Sequence, residues 1–115
     1  MTIDPLPSLN GWQILGASGR IDALTAPEAE GACHAAIQAY PAVALDLSAV
    51  DFMSSAGLRV LLSSLKCALE RGSAFALVAP QGPVREVLYM SGFTDTFEIV
   101  EGAAELPLDP ATPKD

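Results

Sequence analysis

Apolar positions along the chain come in two kinds of run that alternate. The first kind is short and nearly continuous. "GWQILGA", Gly11 to Ala17, is such a run and reads as a strand. "MTI" before it reads as a weak edge strand limited by Pro5 and Pro7, and "GRID" after it as a turn or strand end. "AVALDL" is apolar without alternation, the signature of a strand buried on both faces of a parallel sheet, and "SAVDFM" leads on from it. "AFALVAP" is a second strand of that kind, and "FEIV" a last short one.

The second kind is spaced for helices. In "LTAPEAEGACHAAIQAYP", residues Ala29, Cys33, Ala36, Ile37 and Tyr40 share one face, with Glu30, His34 and Gln38 opposite. Thr25 is placed as N-cap with Glu28 three residues on, a capping box, and Pro41 stops the helix. From Ser55 to Arg71, Leu58, Leu61, Leu62, Leu65, Ala68 and Leu69 form one stripe and Arg59, Ser63, Lys66 and Glu70 the other, with Gly72 as the closing glycine. "PVREVLYMSGF" predicts a third helix on Val84, Val87 and Leu88, ended at Gly92 with Phe93 folding back onto Leu88. "EGAAELPLDPATPKD" holds one helical turn, after which Pro107, Pro110 and Pro113 predict a loose tail.

The order β-α-β-α-β-α-β, with one extra strand at the start, predicts an α/β domain with a mainly parallel sheet and uneven helical cover. A chain of 115 residues, half of them apolar, fits one domain with a real core. Its longest apolar runs fall far short of a membrane span, and "MTIDPLPSLNG" lacks the basic and apolar regions of a signal peptide. A cytoplasmic location is the default expectation. Net charge is −8, from 14 acids and 6 bases, which disfavours nucleic acid and anionic membranes and favours a basic protein partner. Cys33 and Cys67 both fall on apolar helix faces and read as buried free thiols.

Candidate chemistry is sparse. The single histidine, His34, lies on a polar helix face, reads as a solvated surface residue and has no catalytic partner in view. No G-x-S-x-G elbow, metal-ligand cluster, P-loop or dinucleotide fingerprint occurs, so neither a metal nor a cofactor is expected. Asp22, Asp46 and Asp51 could pair as acid and base, but aspartates at strand ends are common turn residues. "DFMSSAGLRVLL" stands out. Ser54 or Ser55 opens the longest helix, where a serine caps orphan N–H groups and where those N–H groups also tolerate a phosphate. Gly57 either keeps bulk off the first turn for a partner or serves helix–sheet packing.

These residues carry a resemblance. "LDLSAVDFMSSAGLRVLL" resembles the signature of STAS domains, in particular the anti-sigma factor antagonists (anti-anti-sigma factors). "GRIDALTAPE", "RGSAFALVAPQGPVREVL" and "MSGFTDTFEIV" resemble further family segments in the same order, so the match covers about Gly11 to Glu101. It implies a STAS fold: a mixed, mostly parallel sheet of four to five strands with three to four helices, residues 1–106, followed by a flexible tail over 107–115. It also implies a non-enzymatic module of a partner-switching pathway. The unphosphorylated antagonist binds a GHKL-type serine kinase that is also the anti-sigma factor. Phosphorylation of one serine releases it, and a PP2C-type phosphatase resets it. The acceptor position aligns with Ser55, while Ser54 falls where some relatives carry Asp. The partner surface maps to Asp22, Ser54, Ser55, Ala56, Gly57 and Arg59. For Asp22 a turn role competes evenly with a partner role. The family's longer fourth helix is cut short here by prolines. Two other readings stay open: a STAS subunit of a transport complex or signalling scaffold with no phospho-switch, and a small-molecule-binding STAS domain.

Overall fold

The computed structural model describes residues 1–108. The chain opens with a hairpin, β1 (Thr2–Leu9) running antiparallel to β2 (Trp12–Ile21). Its two-residue turn is Asn10-Gly11, both at positive φ (56° and 88°), the backbone that best matches the twist of the flanking strands. The first strand is therefore longer than "MTI". Pro5 and Pro7 are accommodated because β1 is an edge strand, where a missing N–H breaks no second ladder.

Three crossovers follow. They comprise α1 (Ala26–Ala39), β3 (Ala42–Met53), α2 (Ser55–Arg71), β4 (Ala74–Val78), α3 (Gly82–Met90) and β5 (Glu98–Val100), and a single 3-10 turn at Ala103–Glu105 comes last. Strand order is β1-β2-β3-β4-β5, with β2 to β5 mutually parallel. Each right-handed crossover steps the same way across the sheet, so all three helices fall on one face. The four-to-five-strand, three-helix expectation holds, with the fourth helical element reduced to that one turn.

Alternation sorts the strand residues. Leu15, Val43, Leu45, Leu47 and Leu77 pack under the helices, while Trp12, Ile14, Ala42, Ala44, Ala76 and Val78 face the other way. β2 and β3 run beyond "GWQILGA" and "AVALDL", because register shifts between Gly16 and Ser18 and between Gly19 and Arg20 let the polar segments "SGRI" and "SAVDFM" stay paired.

The helix faces differ in detail from the predicted stripes. α2 buries Gly57, Val60, Leu61, Ser64 and Ala68, with Leu58, Leu62 and Leu65 only half-buried. Small residues on the buried line let the helix approach the sheet closely, and this rotates Leu69 out to 69% exposure and Cys67 to half-burial. Tyr40 is the exposed C-cap of α1 rather than part of its apolar face. Gly72 (φ 68°) closes α2, and Gly92 (φ 74°) turns the chain after α3 so that the Phe93 N–H reaches the Leu88 carbonyl at 2.9 Å, both as the sequence predicts.

The helix-free face is covered by the chain's own end. Leu106 is 2% exposed against Trp12, Ile14 and the alanines of β3 and β4. The Trp12 indole N–H donates to the Pro107 carbonyl at 2.8 Å, and the Asn10 amide donates to the Leu106 carbonyl at 3.0 Å. Pro107, the first residue of the expected tail, is thus tied to β2 through its carbonyl. Pro110 and Pro113 lie outside the described residues. Leu106→Ala removes a large, fully buried side chain from this face and should cost about 2–4 kcal/mol, read as a lower urea midpoint at unchanged slope.

Candidate functional site

Parallel pairing brings the C-terminal ends of β2 and β3 together, with Ile21 opposite Met53. Loops leaving that end of a parallel sheet are where α/β folds place ligands and partners. Ser54 follows in extended backbone and is the N-cap of α2: its hydroxyl accepts from the Ala56 N–H at 3.2 Å. The Ser54 N–H in turn donates to the Ile21 carbonyl at 3.0 Å, tying the start of α2 to the end of β2.

With Ser54 as cap, Ser55 is the first helical residue. It is exposed, and its hydroxyl has no hydrogen-bond partner among the described residues. The first turn of α2 holds no acid, so the positive end of its dipole is uncompensated. Ala56 is half-buried, and Arg59, one turn after Ser55, is exposed without an ion-pair partner among the described residues.

Gly57 points the other way. A Cβ there would lie 2.5 Å from Met53 Cγ and 2.8 Å from the Ile21 carbonyl oxygen. It is buried beneath the helix, where the packing of α2 on the ends of β2 and β3 requires a glycine.

Asp22 is used internally. Its Oδ1 accepts from the Leu24 N–H (3.0 Å), the Thr25 N–H (3.2 Å) and the Thr25 hydroxyl (3.3 Å), and Oδ2 lies 3.6 Å from Arg20 Nε. Desolvation works to raise its pKa, but the two backbone N–H groups, the Thr25 hydroxyl and the Arg20 charge outweigh it, and the net shift is downward. Thr25 does stand at the N-cap of α1, yet the predicted capping box does not form. Its hydroxyl instead accepts from the Asp22 N–H at 2.9 Å, and its one proton is shared between the Arg20 carbonyl at 2.8 Å and the longer contact to Asp22 Oδ1. Arg20 also stacks over Phe52, 4.2 Å from the ring centroid. The result is a braced loop over residues 22–25.

Between the first turns of α1 and α2 lies a cleft of about 300 Å³, lined by Ala23, Ala26, Pro27, Glu30, Ala56, Arg59 and Val60. Sequence reasoning places Ala56 and Arg59 here, but not the α1 side, because nothing local indicates that the two helix starts face each other. His34 is half-buried rather than solvated, and shares a 2.9 Å hydrogen bond with Ser63 across the α1–α2 contact. Cys33 is buried, which pushes its thiol up to about 11 despite the Ser64 hydroxyl acting against that shift, so it is protonated at neutral pH. No group of three His, Cys, Asp or Glu suited to a metal is found among the described residues. Nor is any helix among them long and apolar enough to cross a membrane.

The pattern of STAS domains matches residues 6–106. The chain belongs to the STAS domain family. The anti-sigma-F factor antagonist RsfB of Mycobacterium tuberculosis is 32% identical over 91 residues, 78% of this chain and 74% of RsfB. The crystal structure of an anti-sigma factor antagonist from Mycobacterium paratuberculosis is 34% identical, covers 96% of this chain and 91% of its own, and superposes with a TM-score of 0.74. SpoIIAA, a Bacillus cell fate determinant and anti-sigma factor antagonist, shares the fold at 16% identity. Its unphosphorylated form superposes with a TM-score of 0.70 (85% of this chain, 87% of its own) and its phosphorylated form with 0.65 (85% and 90%). The STAS domain described here is thus similar to anti-sigma factor antagonists.

Two predictions test the architecture of this STAS site. Gly57→Ala drives a methyl group into backbone as well as side chain, and should destabilise by about 1–3 kcal/mol in urea titration. The Asp22 pKa is lower folded than unfolded, so its stabilisation is complete above the ordinary value of 3.8 and is lost as pH falls through the lower folded value. Asp22→Asn should therefore lower the urea midpoint at pH 7, and the gap to wild type should narrow at pH 3.

Proposed function

We propose that this STAS domain is an anti-sigma factor antagonist switched by phosphorylation of Ser55. The observation that carries the reading is the division of labour at the start of α2. Ser54 supplies the cap, which leaves Ser55 exposed on the first turn with a hydroxyl that no group among the described residues engages. The likeness to RsfB and to the Mycobacterium paratuberculosis antagonist supports the antagonist role.

In this reading the unphosphorylated chain binds an anti-sigma factor that is also a GHKL-type serine kinase, and so frees the sigma factor. Transfer of the γ-phosphoryl group of ATP to Ser55 Oγ releases ADP and the hydroxyl proton. It adds about −1.5 to −2 charge where the partner had docked. The chain tolerates that charge because helix N–H groups and Arg59 one turn later lie close by. The partner has to desolvate it, and a coupling of about 1–3 kcal/mol is enough to exchange one partner for another. A PP2C-type phosphatase resets the hydroxyl. ATP belongs to the kinase, consistent with a sequence that carries no nucleotide motif.

The test uses GHKL-type anti-sigma factors from the chain's own genome together with the anti-sigma-F factor of Mycobacterium tuberculosis. Each is incubated with the chain and ATP, followed by peptide mass spectrometry and binding titration. One phosphate is expected on wild type and on Ser54→Ala, and none on Ser55→Ala. Ser55→Asp should bind the partner at least about tenfold more weakly than wild type. Persistent modification of Ser55→Ala would overturn the assignment.

A further inference from the structure

We infer that Leu24 is the apolar anchor by which this chain seats on its anti-sigma partner, a protein surface that offers it a socket; the inference rests on the antagonist reading above. Among the described residues Leu24 is the most exposed large apolar side chain, at 90%. It does not stand on a loose loop. The backbone on either side is held by the Asp22 carboxylate, by the Thr25 hydroxyl's bond to the Arg20 carbonyl, and by the Ala26 N–H on the Asp22 carbonyl at 2.8 Å. An apolar side chain on a braced loop contradicts local solvation but suits binding, because little backbone entropy remains to be lost on docking.

Its location selects the partner. Residues beside Leu24, Ala23 and Ala26, line the cleft whose far wall is Ala56 and Arg59, immediately after Ser55. The Ser54–Ile21 hydrogen bond fixes both walls to the same strand end. A partner expelled by a phosphate on Ser55 has to cover Ser55, and a standard interface of about 800 Å² per side reaches beyond the cleft to Leu24. A second copy of this chain is disfavoured as occupant, since two bodies of net charge −8 repel each other. The partner surface that fits carries an apolar socket for Leu24 within a positively charged surround. Leu24 gives affinity and Ser55 gives control, so the two functions sit on adjacent loops and can be separated by substitution.

The experiment titrates the anti-sigma factor that binds wild type in the assay above against Leu24→Asp, Leu24→Ala and Leu24→Met. Leu69→Asp, similarly exposed but at the far end of α2, serves as control. Leu24→Asp and Leu24→Ala should bind at least about tenfold more weakly, while Leu24→Met and Leu69→Asp stay within about threefold of wild type. Melting temperatures should be unchanged throughout, because the Leu24 and Leu69 side chains are exposed, at 90% and 69%. Binding of Leu24→Asp within about twofold of wild type overturns the anchor while leaving the antagonist reading intact. If no anti-sigma factor binds wild type, the antagonist reading itself fails. A dimer in sedimentation that Leu24→Asp dissolves would assign the side chain to a second copy and also overturn the inference.

Discussion

One hydrogen bond, from the Ser54 N–H to the Ile21 carbonyl, fixes the geometry on which the rest of the site depends. It joins the last residue of β2 to the cap of α2, and Gly57 lets the helix settle directly over that junction. The carbonyl also sets the limit: it lies so close to the Gly57 Cα that no side chain fits between them. Ser55 cannot turn inward from such a seat, because the cap and the buried glycine on either side determine which way the first turn faces. Its exposure is a consequence of packing beneath it.

The same economy of space shapes the sheet. Monotonic strand order places α1, α2 and α3 on one face and leaves the other without a helix. Alanines at 42, 44 and 76 keep that second face shallow, and among the described residues Leu106, after a single helical turn, packs onto it with Val100 and Ala103 beside it. Longer side chains there would demand a longer cover. The face is thus closed near the N-terminal end of β2, at the opposite end from the cleft between the starts of α1 and α2.

Much of this was legible in the residues, and what was missed has identifiable causes. The buried strands, the three helices, the glycine ends at Gly72 and Gly92 and the uneven helical cover follow from local patterns that tertiary packing reinforced. Strand lengths did not, since Asn10-Gly11 is a hairpin signal whose weight was lost beside Pro5 and Pro7, and the bulges that extend β2 and β3 leave no periodic trace. The capping box at Thr25 failed because the Thr25 hydroxyl accepts from the Asp22 N–H, back toward the end of β2, instead of from a helix N–H, a pairing the local motif does not announce. Ser54 could be recognised as a cap from sequence, whereas the α1 wall of the cleft and the bracing of Leu24 could not. The wall arises from the meeting of segments more than twenty residues apart, and the bracing from side-chain bonds within residues 20–26 that leave no mark in the apolar pattern.

The indole of Trp12, hydrogen-bonded to the Pro107 carbonyl, gives the molecule a built-in optical probe. It is the single tryptophan of the chain, and nine residues of strand, about 30 Å, separate it from Ile21. Its fluorescence therefore reports whether the C-terminal segment is seated, undisturbed by events at Ser55 or Leu24.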